Sequence, residues 1–251
     1  MNFSANANLL SAYVLVLARI SAWVMVAPPF ANRNIPVKVR AGLAAALSLF
    51  TVNHVEMPAV PMDTVPFIGA LIEQALVGLA MGFACYMLLT AIQSAGGLID
   101  NMAGLTLSQY YDPGMAEQGA VFTRYYYQVG LTLLFVTNAH LILVDGLLRS
   151  FRSVPASGFD IGKVDHFLTH NLSQLMVAAL EISAPVVAVL FLSELGMGLL
   201  ARAAPSLNVF QLGFPIRIVI TLATTALAIP LVLPALSNLV AKAAGAMSGG
   251  G

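Results

Sequence analysis

Few residues in this chain have the types and spacing that chemistry needs. Of its four histidines, His166 and His170 alone have the i, i+4 spacing that could direct two ring nitrogens towards one metal ion on a helix. No carboxylate or cysteine stands at a spacing that completes such a site, so a solvated turn is the favoured interpretation. Phosphate-binding loops, nucleophile elbows and paired acids in a polar pocket are also missing from the sequence. We therefore expect no enzyme, no metal and no cofactor.

Four charged residues stand inside long apolar runs: Arg19, Glu73, Glu181 and Glu194. A charge at bilayer depth costs about 2.5–3.5 kcal/mol on insertion scales, so these side chains should face protein or water. They could form ion pairs that hold helices or subunits together, or they could relay protons. Glu181 and Glu194 are 13 positions apart and fall on nearly opposite faces of a helix, which favours the structural role.

The elements that carry these residues belong to a membrane protein. Apolar residues make up 59% of the 251 positions and charged residues 9%, and the net charge is zero, so nothing indicates nucleic-acid binding. The single cysteine, Cys85, lies in an apolar run and most simply fills space. Strand-like alternation is missing, so the fold class is all-α. Apolar runs near the length of a spanning helix cover Leu9–Ala31, Phe67–Ile92, Val129–Leu148, Leu175–Leu200 and Ile216–Val240.

Basic residues suggest how these runs cross the membrane. Lys and Arg follow the first and third long runs, which places both loops in the cytoplasm if the shorter run Leu43–Val52 does not cross. This five-crossing arrangement leaves the connection Gln93–Gln128 facing outward. We expect residues 1–247 to form one domain, followed by a flexible Gly-rich tail at 248–251.

Prolines and glycines indicate kinked and closely packed helices. Prolines at 185, 230 and 234 interrupt the last two runs, and Gly78 and Gly82 form a small-xxx-small pair that permits close helix contact. The connector Ala204–Pro215 holds polar, helix-breaking residues between two apolar runs. It predicts a shaped element held against protein and not a slack loop.

A second polar connection, Ser94–Arg124, is long for a hairpin and is punctuated by glycines, among them Gly104 and Gly119. It could be a mobile loop that occludes a passage, with these two glycines as hinges. It could also be a surface loop whose glycines cap helices, and the residues alone favour this second interpretation.

Several segments in order resemble the flagellar biosynthetic protein FliR family and its virulence-secretion relatives. Arg19 precedes Ala27-Pro28-Pro29-Phe30, then come Ile35–Arg40, Gly69–Gly82 and Ala95–Gly104, and the connector Ala204–Pro215 lies between Arg202 and Arg217. The order of these segments is specific, although each alone is weak. The chain departs from the common pattern at Pro29 and Ser206.

The resemblance implies a core subunit of a type III export gate in the bacterial inner membrane, within the flagellar basal body. Its partners would be FliP- and FliQ-like subunits, an FlhB-like switch subunit, exported flagellar proteins and membrane lipid. Much of the apolar chain would then be helical hairpins raised towards the periplasm and covered by neighbours. The family's plug-forming loop would fall on Gly104, Gln109, Asp112, Pro113 and Gly119, and subunit packing on Gly78, Gly82, Pro205, Asn208, Phe210, Gly213 and Pro215.

Two alternatives stay open. A virulence secretion system uses an equivalent subunit, and one chain separates the two systems poorly. A small-solute carrier would instead use broken helices around a midplane site, but carriers of that type usually show paired inverted repeats that this sequence lacks. A carrier should be stable alone, whereas a gate subunit should need its partners.

Overall fold

The structure of this chain is a computed structural model that describes residues 3–28, 30–32, 35–54, 64–106, 120–153, 161–204 and 209–247. Every regular element within these residues is an α-helix, as the sequence predicts. In chain order the helices are α1 (Phe3–Val26), α2 (Val37–Val52), α3 (Thr64–Ala103), α4 (Val121–Val136), α5 (Ala139–Ser153), α6 (Ile161–Ala203) and α7 (Val209–Met247).

Four of the five predicted apolar runs lie in helices long and apolar enough to cross a membrane. Over the described residues these stretches are Leu9–Val26, Val65–Ala103, Leu172–Ala203 and Gly213–Gly245. The short run Leu43–Val52 lies in α2, whose 16 residues are fewer than a spanning helix needs. Four of the predicted runs therefore correspond to helices whose length and apolar composition suit a membrane span.

The fifth predicted run, Val129–Leu148, is not one helix. It is divided between α4 and α5, which meet at a bend of 73° after a break at Thr137 and Asn138. Asn138 has a φ of 57°, a left-handed conformation that asparagine tolerates better than most residues and that ends a right-handed helix. Thr137, Asn138 and His140 are polar, but the run around them is apolar on average, so hydropathy averaged over the run did not reveal the break.

Several helices extend into segments predicted to be connections. Helix α3 continues to Ala103, through the first part of the Gln93–Gln128 stretch that we expected to face outward, and α4 begins within the same stretch at Val121. Helix α7 begins at Val209, so the end of the helix-breaking connector, with Gly213 and Pro215, belongs to its first two turns. A proline so close to a helix start removes one backbone donor, a loss that membrane helices tolerate.

The chain forms two compact units, each with its own buried core. The first contains Met1–Leu88, Asn138–Leu172 and Val240–Gly251, and the second Leu89–Thr137 and Ser173–Leu239. Fully buried side chains of the first unit include Leu15, Ile20, Trp23, Leu143 and Leu147. Those of the second include Ile92, Ile99, Tyr126, Leu134 and Leu236. Unit boundaries fall inside α3, α6 and α7, so the single domain of residues 1–247 stays a prediction.

Candidate functional site

Arg19 is the centre of a polar cluster in the core of the first unit. Its side chain is completely buried in α1, and its Nε donates to Gln74 Oε1 of α3 at 2.8 Å. Its Nη1 donates to the backbone oxygen of Ser150 at 3.1 Å and to Ser150 Oγ at 3.3 Å, both in α5. The guanidinium also lies 4.4 Å from the ring centroid of Phe151. One arginine thus joins three helices.

Glycines let α1 and α3 approach closely enough for this cluster to form. A Cβ at Gly78 would collide with the backbone oxygen of Arg19, and a Cβ at Gly82 would lie 3.1 Å from the backbone oxygen of Trp23. The two glycines are one helical turn apart, so they form a flat strip on α3 against α1. The predicted small-residue pair therefore packs within this chain, although its role in subunit packing stays a prediction.

A second polar cluster joins α3 to α4 in the second unit. Asp100, completely buried in the last turn of α3, accepts hydrogen bonds from the backbone N–H of Phe122 at 2.9 Å and of Thr123 at 2.7 Å. It also accepts a hydrogen bond from the Thr123 hydroxyl at 2.7 Å. Ala120, which precedes α4, provides no side-chain cap, so Asp100 serves the first-turn donors that a local cap would serve.

Close backbone contact supports this second cluster. A Cβ at Gly96, one turn before Asp100, would collide with the backbone oxygen of Phe122. Glycine at this position brings the end of α3 against the start of α4, which places the carboxylate within reach of the two N–H groups. We call Gly96, Asp100, Phe122 and Thr123 the α3–α4 junction.

Gly104 ends helix α3 by a specific hydrogen-bonding pattern. Its φ is +75°, its N–H donates to Asn101 O at 3.2 Å, and the N–H of Leu105 donates to Asp100 O at 3.0 Å. These two bonds with a left-handed glycine form a Schellman motif. The described part of the connection thus gives Gly104 the helix-capping role that the residues favoured; its part in a plug stays a prediction.

Arg217 lies beside this helix end. A Cβ at Gly104 would be 3.4 Å from Arg217 Nη1, and Arg217 Nη2 forms a salt bridge of 2.9 Å with Glu194 between α7 and α6. A cation near the C-terminus of α3 and an anion at the N-terminus of α4 both have the favourable sign for helix dipoles. Charge therefore complements both helix ends that border the connection.

The predicted charged residues have different surroundings. Arg19 is buried, Glu73 is half-buried on α3 and interacts electrostatically with Arg19, and Glu181 and Glu194 are exposed on α6. Arg19 faces protein, as expected, and donates to amide, hydroxyl and carbonyl oxygens of its own chain. For all four residues, a role in assembly stays a prediction.

Several predicted site residues lie outside the described residues or their described side chains. Gln109, Asp112, Pro113, Gly119, Pro205 and Asn208 are outside the described residues, and for Phe210 only the backbone position in α7 is described. Gly213 is buried, with Met197 Sδ 3.2 Å from where a Cβ would be, and Pro215 is exposed. Gly213 thus marks a close approach of α6 to α7.

Sequence reasoning missed Gln74, Ser150 and Asp100 as site residues. Gln74 and Ser150 are 55 and 131 positions from Arg19, and Asp100 is 22 positions from Phe122. No local pattern relates such distant residues. The one available signal was Asp100 itself, an acid after a long apolar run with glycines one turn before it and one turn after it.

These features define an all-α protein with several membrane-length helices, whose buried polar groups join helices; among the described residues no group of three or more His, Cys, Asp or Glu could hold a metal ion. Residues 10–243 match the family described as Bacterial export proteins, family 1. The chain belongs to this family, which confirms the family resemblance drawn from its ordered segments.

Individual relatives agree with this assignment. The chain is 33% identical to the flagellar biosynthetic protein FliR of Bacillus subtilis over 85% of this chain and 84% of that protein. It is 28% identical to FliR of Escherichia coli over 90% and 87%. It is also 29% identical to the Yop proteins translocation protein T of Yersinia pestis over 82% and 80%.

Proposed function

We propose that this chain is a core subunit of the flagellar type III protein export gate in the bacterial inner membrane. The observation that carries the proposal is the family match over nearly the whole chain, with FliR proteins among its relatives. FliP- and FliQ-like subunits would be its neighbours and an FlhB-like subunit its switch. Unfolded flagellar proteins would be its cargo.

The chain buries some of its apolar helices much less than others, and this difference supports a multi-subunit assembly. The chain itself buries 61% of the apolar stretch of α3, but only 33% of that of α6 and 22% of that of α7. Exposed on α6 and α7 are large apolar side chains such as Met176, Leu192, Val219, Leu222 and Leu227. So large an apolar surface needs lipid or protein around it.

Charge on the same exposed surface favours protein or water over lipid as the neighbour of α6. Glu181 is exposed within the apolar stretch of α6, beside the exposed side chains of Val177 and Leu180. A carboxylate facing acyl chains would be costly, whereas a polar or basic group of an adjoining subunit could pair with it. Glu181 is therefore our leading candidate for an intersubunit contact.

A plug at the connection between α3 and α4 is part of the proposal. The residues that would form it are Gly104, Gln109, Asp112, Pro113 and Gly119. Support comes from the two ends of this connection, because Asp100 ties the end of α3 to the start of α4 and Gly104 terminates α3. A connection that leaves and returns at one place can reach into a passage without separating the helices that carry it.

Deleting residues 107–116 tests the plug. The deletion should let small ions leak across membranes that contain the complete gate, because nothing else in the proposal closes the passage. Potassium efflux from vesicles that hold the co-expressed subunits measures this leak. The same complex with the full-length chain is the control. A deletion variant that assembles and stays tight would show that these residues are not the plug.

A virulence export gate is the second candidate, since the Yop translocation protein is also a relative. The two systems differ in cargo and in partners, so complementation separates them. We expect the chain to restore motility in a flagellated host without its own FliR, and not to restore effector secretion in a host without its own Yop translocation protein T. The reverse result would assign the chain to virulence.

A further inference from the structure

The α3–α4 junction is held by a carboxylate that caps a helix other than its own. Asp100 belongs to α3, but all three of its hydrogen bonds go to Phe122 and Thr123 of α4. Hydrogen bonds to a charged acceptor are stronger than neutral ones, and the carboxylate is completely buried. The contact is therefore a strong link between two helices.

The geometry around this link leaves little freedom. Gly96 brings the helix backbones into contact, and the Schellman motif at Gly104 fixes the direction in which the chain leaves α3. Arg217 lies beside that exit and is itself tied to Glu194. The start and the end of the connection thus have set positions relative to each other.

We propose that Asp100 is a positioning residue that sets where the connection between α3 and α4 begins and ends, and so keeps the resting channel tight. The proposal relies on the plug role above for its transport readout. Without the carboxylate the first turn of α4 loses both its cap and its favourable anion, so α4 can move away from α3. The two ends of the connection that forms the plug would then no longer be held in fixed positions.

Replacing the carboxylate is the first test. Asp100→Ala, in the complete co-expressed gate, should raise potassium efflux from vesicles about tenfold, the factor that corresponds to about 1.4 kcal/mol of lost anchoring. Asp145→Ala is the matched control, because Asp145 is an exposed acid paired with Arg149 on the surface of α5. It should leave the channel tight.

Rescue by a disulfide separates positioning from a general loss of stability. A Cβ at Gly97 would lie 3.6 Å from Thr123 Oγ1, which is close enough for cysteines at 97 and 123 to be joined across the junction. In a background with Cys85→Ala, the triple variant Asp100→Ala, Gly97→Cys, Thr123→Cys should leak when reduced. Oxidation by diamide should reseal the same sample.

The outcomes separate this inference from the plug itself. If the 107–116 deletion leaks while the Asp100→Ala variant assembles and stays tight, the role of Asp100 is overturned and the plug role is retained. Leak that oxidation does not reduce would overturn it as well. A tight deletion would overturn both. If Asp100→Ala does not assemble, Thr123→Val removes only the hydroxyl bond and should still raise efflux severalfold; a tight Thr123→Val complex would then count against the inference.

Discussion

At the scale of single residues, Arg19 shows how neutral groups of the same chain can stabilise a buried charge. Its hydrogen bonds go to an amide oxygen, a hydroxyl and a backbone carbonyl, and an aromatic ring lies under its guanidinium. Guanidinium suits such a site because its planar fork presents several donors at once and stacks on ring faces. The position of Arg19 in an apolar run predicted that its side chain needs polar partners, but it did not predict which residues those partners are.

Replacing Arg19 by leucine tests this cluster. Arg19→Leu should lower the stability of the protein by about 1–3 kcal/mol, because the buried oxygens of Gln74 and Ser150 lose their donor. The loss is measurable as a lower midpoint of thermal unfolding in detergent. Arg149→Ala is the control. Its salt bridge with Asp145 is exposed and i,i+4, so we expect a change of about 0.5 kcal/mol or less. Equal effects of the two substitutions would contradict the special role of Arg19.

At the scale of elements, contact between helices is decided by glycines at particular positions. Gly78 faces the backbone of α1, where a carbonyl oxygen cannot move aside as a flexible side chain could. Gly69 belongs to the same helix and has no atom within 4 Å of an added Cβ. Both residues are glycines in an apolar run, so composition cannot distinguish the one that packs from the one that does not.

Alanine at these two positions should therefore have opposite effects. Gly78→Ala forces α1 and α3 apart and should destabilise the protein by about 1–3 kcal/mol, the usual range for overpacking. Gly69→Ala should be neutral or stabilise α3 by up to about 1 kcal/mol, because alanine favours helix more than glycine does. Unfolding in detergent compares the two directly. A neutral Gly78→Ala variant would show that the helices can separate without cost.

Helix ends were the least predictable part of each element. The break at Asn138 interrupts a run that is apolar on average, whereas Pro185, Pro230 and Pro234 stand inside continuous helices. Proline discourages helices in water, but in long apolar helices neighbouring groups can satisfy the freed carbonyls. The kinks at these prolines therefore stay a prediction, whereas the break at Asn138, which divides a predicted run, was missed.

At the scale of the whole molecule, the helices are longer than a bilayer requires. Helices α3, α6 and α7 contain 40, 43 and 39 residues, which at about 1.5 Å per residue corresponds to roughly 60 Å of helix each. The hydrocarbon core is about 30 Å thick. A straight helix of this length is about twice as long as that core is thick, which fits the proposal that hairpins rise out of the membrane and are covered by other subunits.

Purification tests this proposal for the whole molecule. Expressed alone, the chain should be recovered poorly or aggregated in mild detergent, because α6 and α7 leave most of their apolar stretches uncovered. Co-expression with FliP- and FliQ-like subunits should give one stable complex. Size-exclusion chromatography with light scattering distinguishes the two results. A well-behaved monomer with an unchanged unfolding midpoint on co-expression would favour the carrier alternative.

Composition was enough to predict an all-α membrane protein and four of its apolar helices, because hydropathy and helix propensity are local properties. The order of short segments was enough to predict its family. The Arg19 cluster and the α3–α4 junction were decided only by the tertiary structure. Their partners are 22 to 131 positions apart, and close approach of helices at Gly78 and Gly96 brings them together. The local sequence pattern shows which polar groups need hydrogen-bond partners, whereas the packing of the helices determines which residues become those partners.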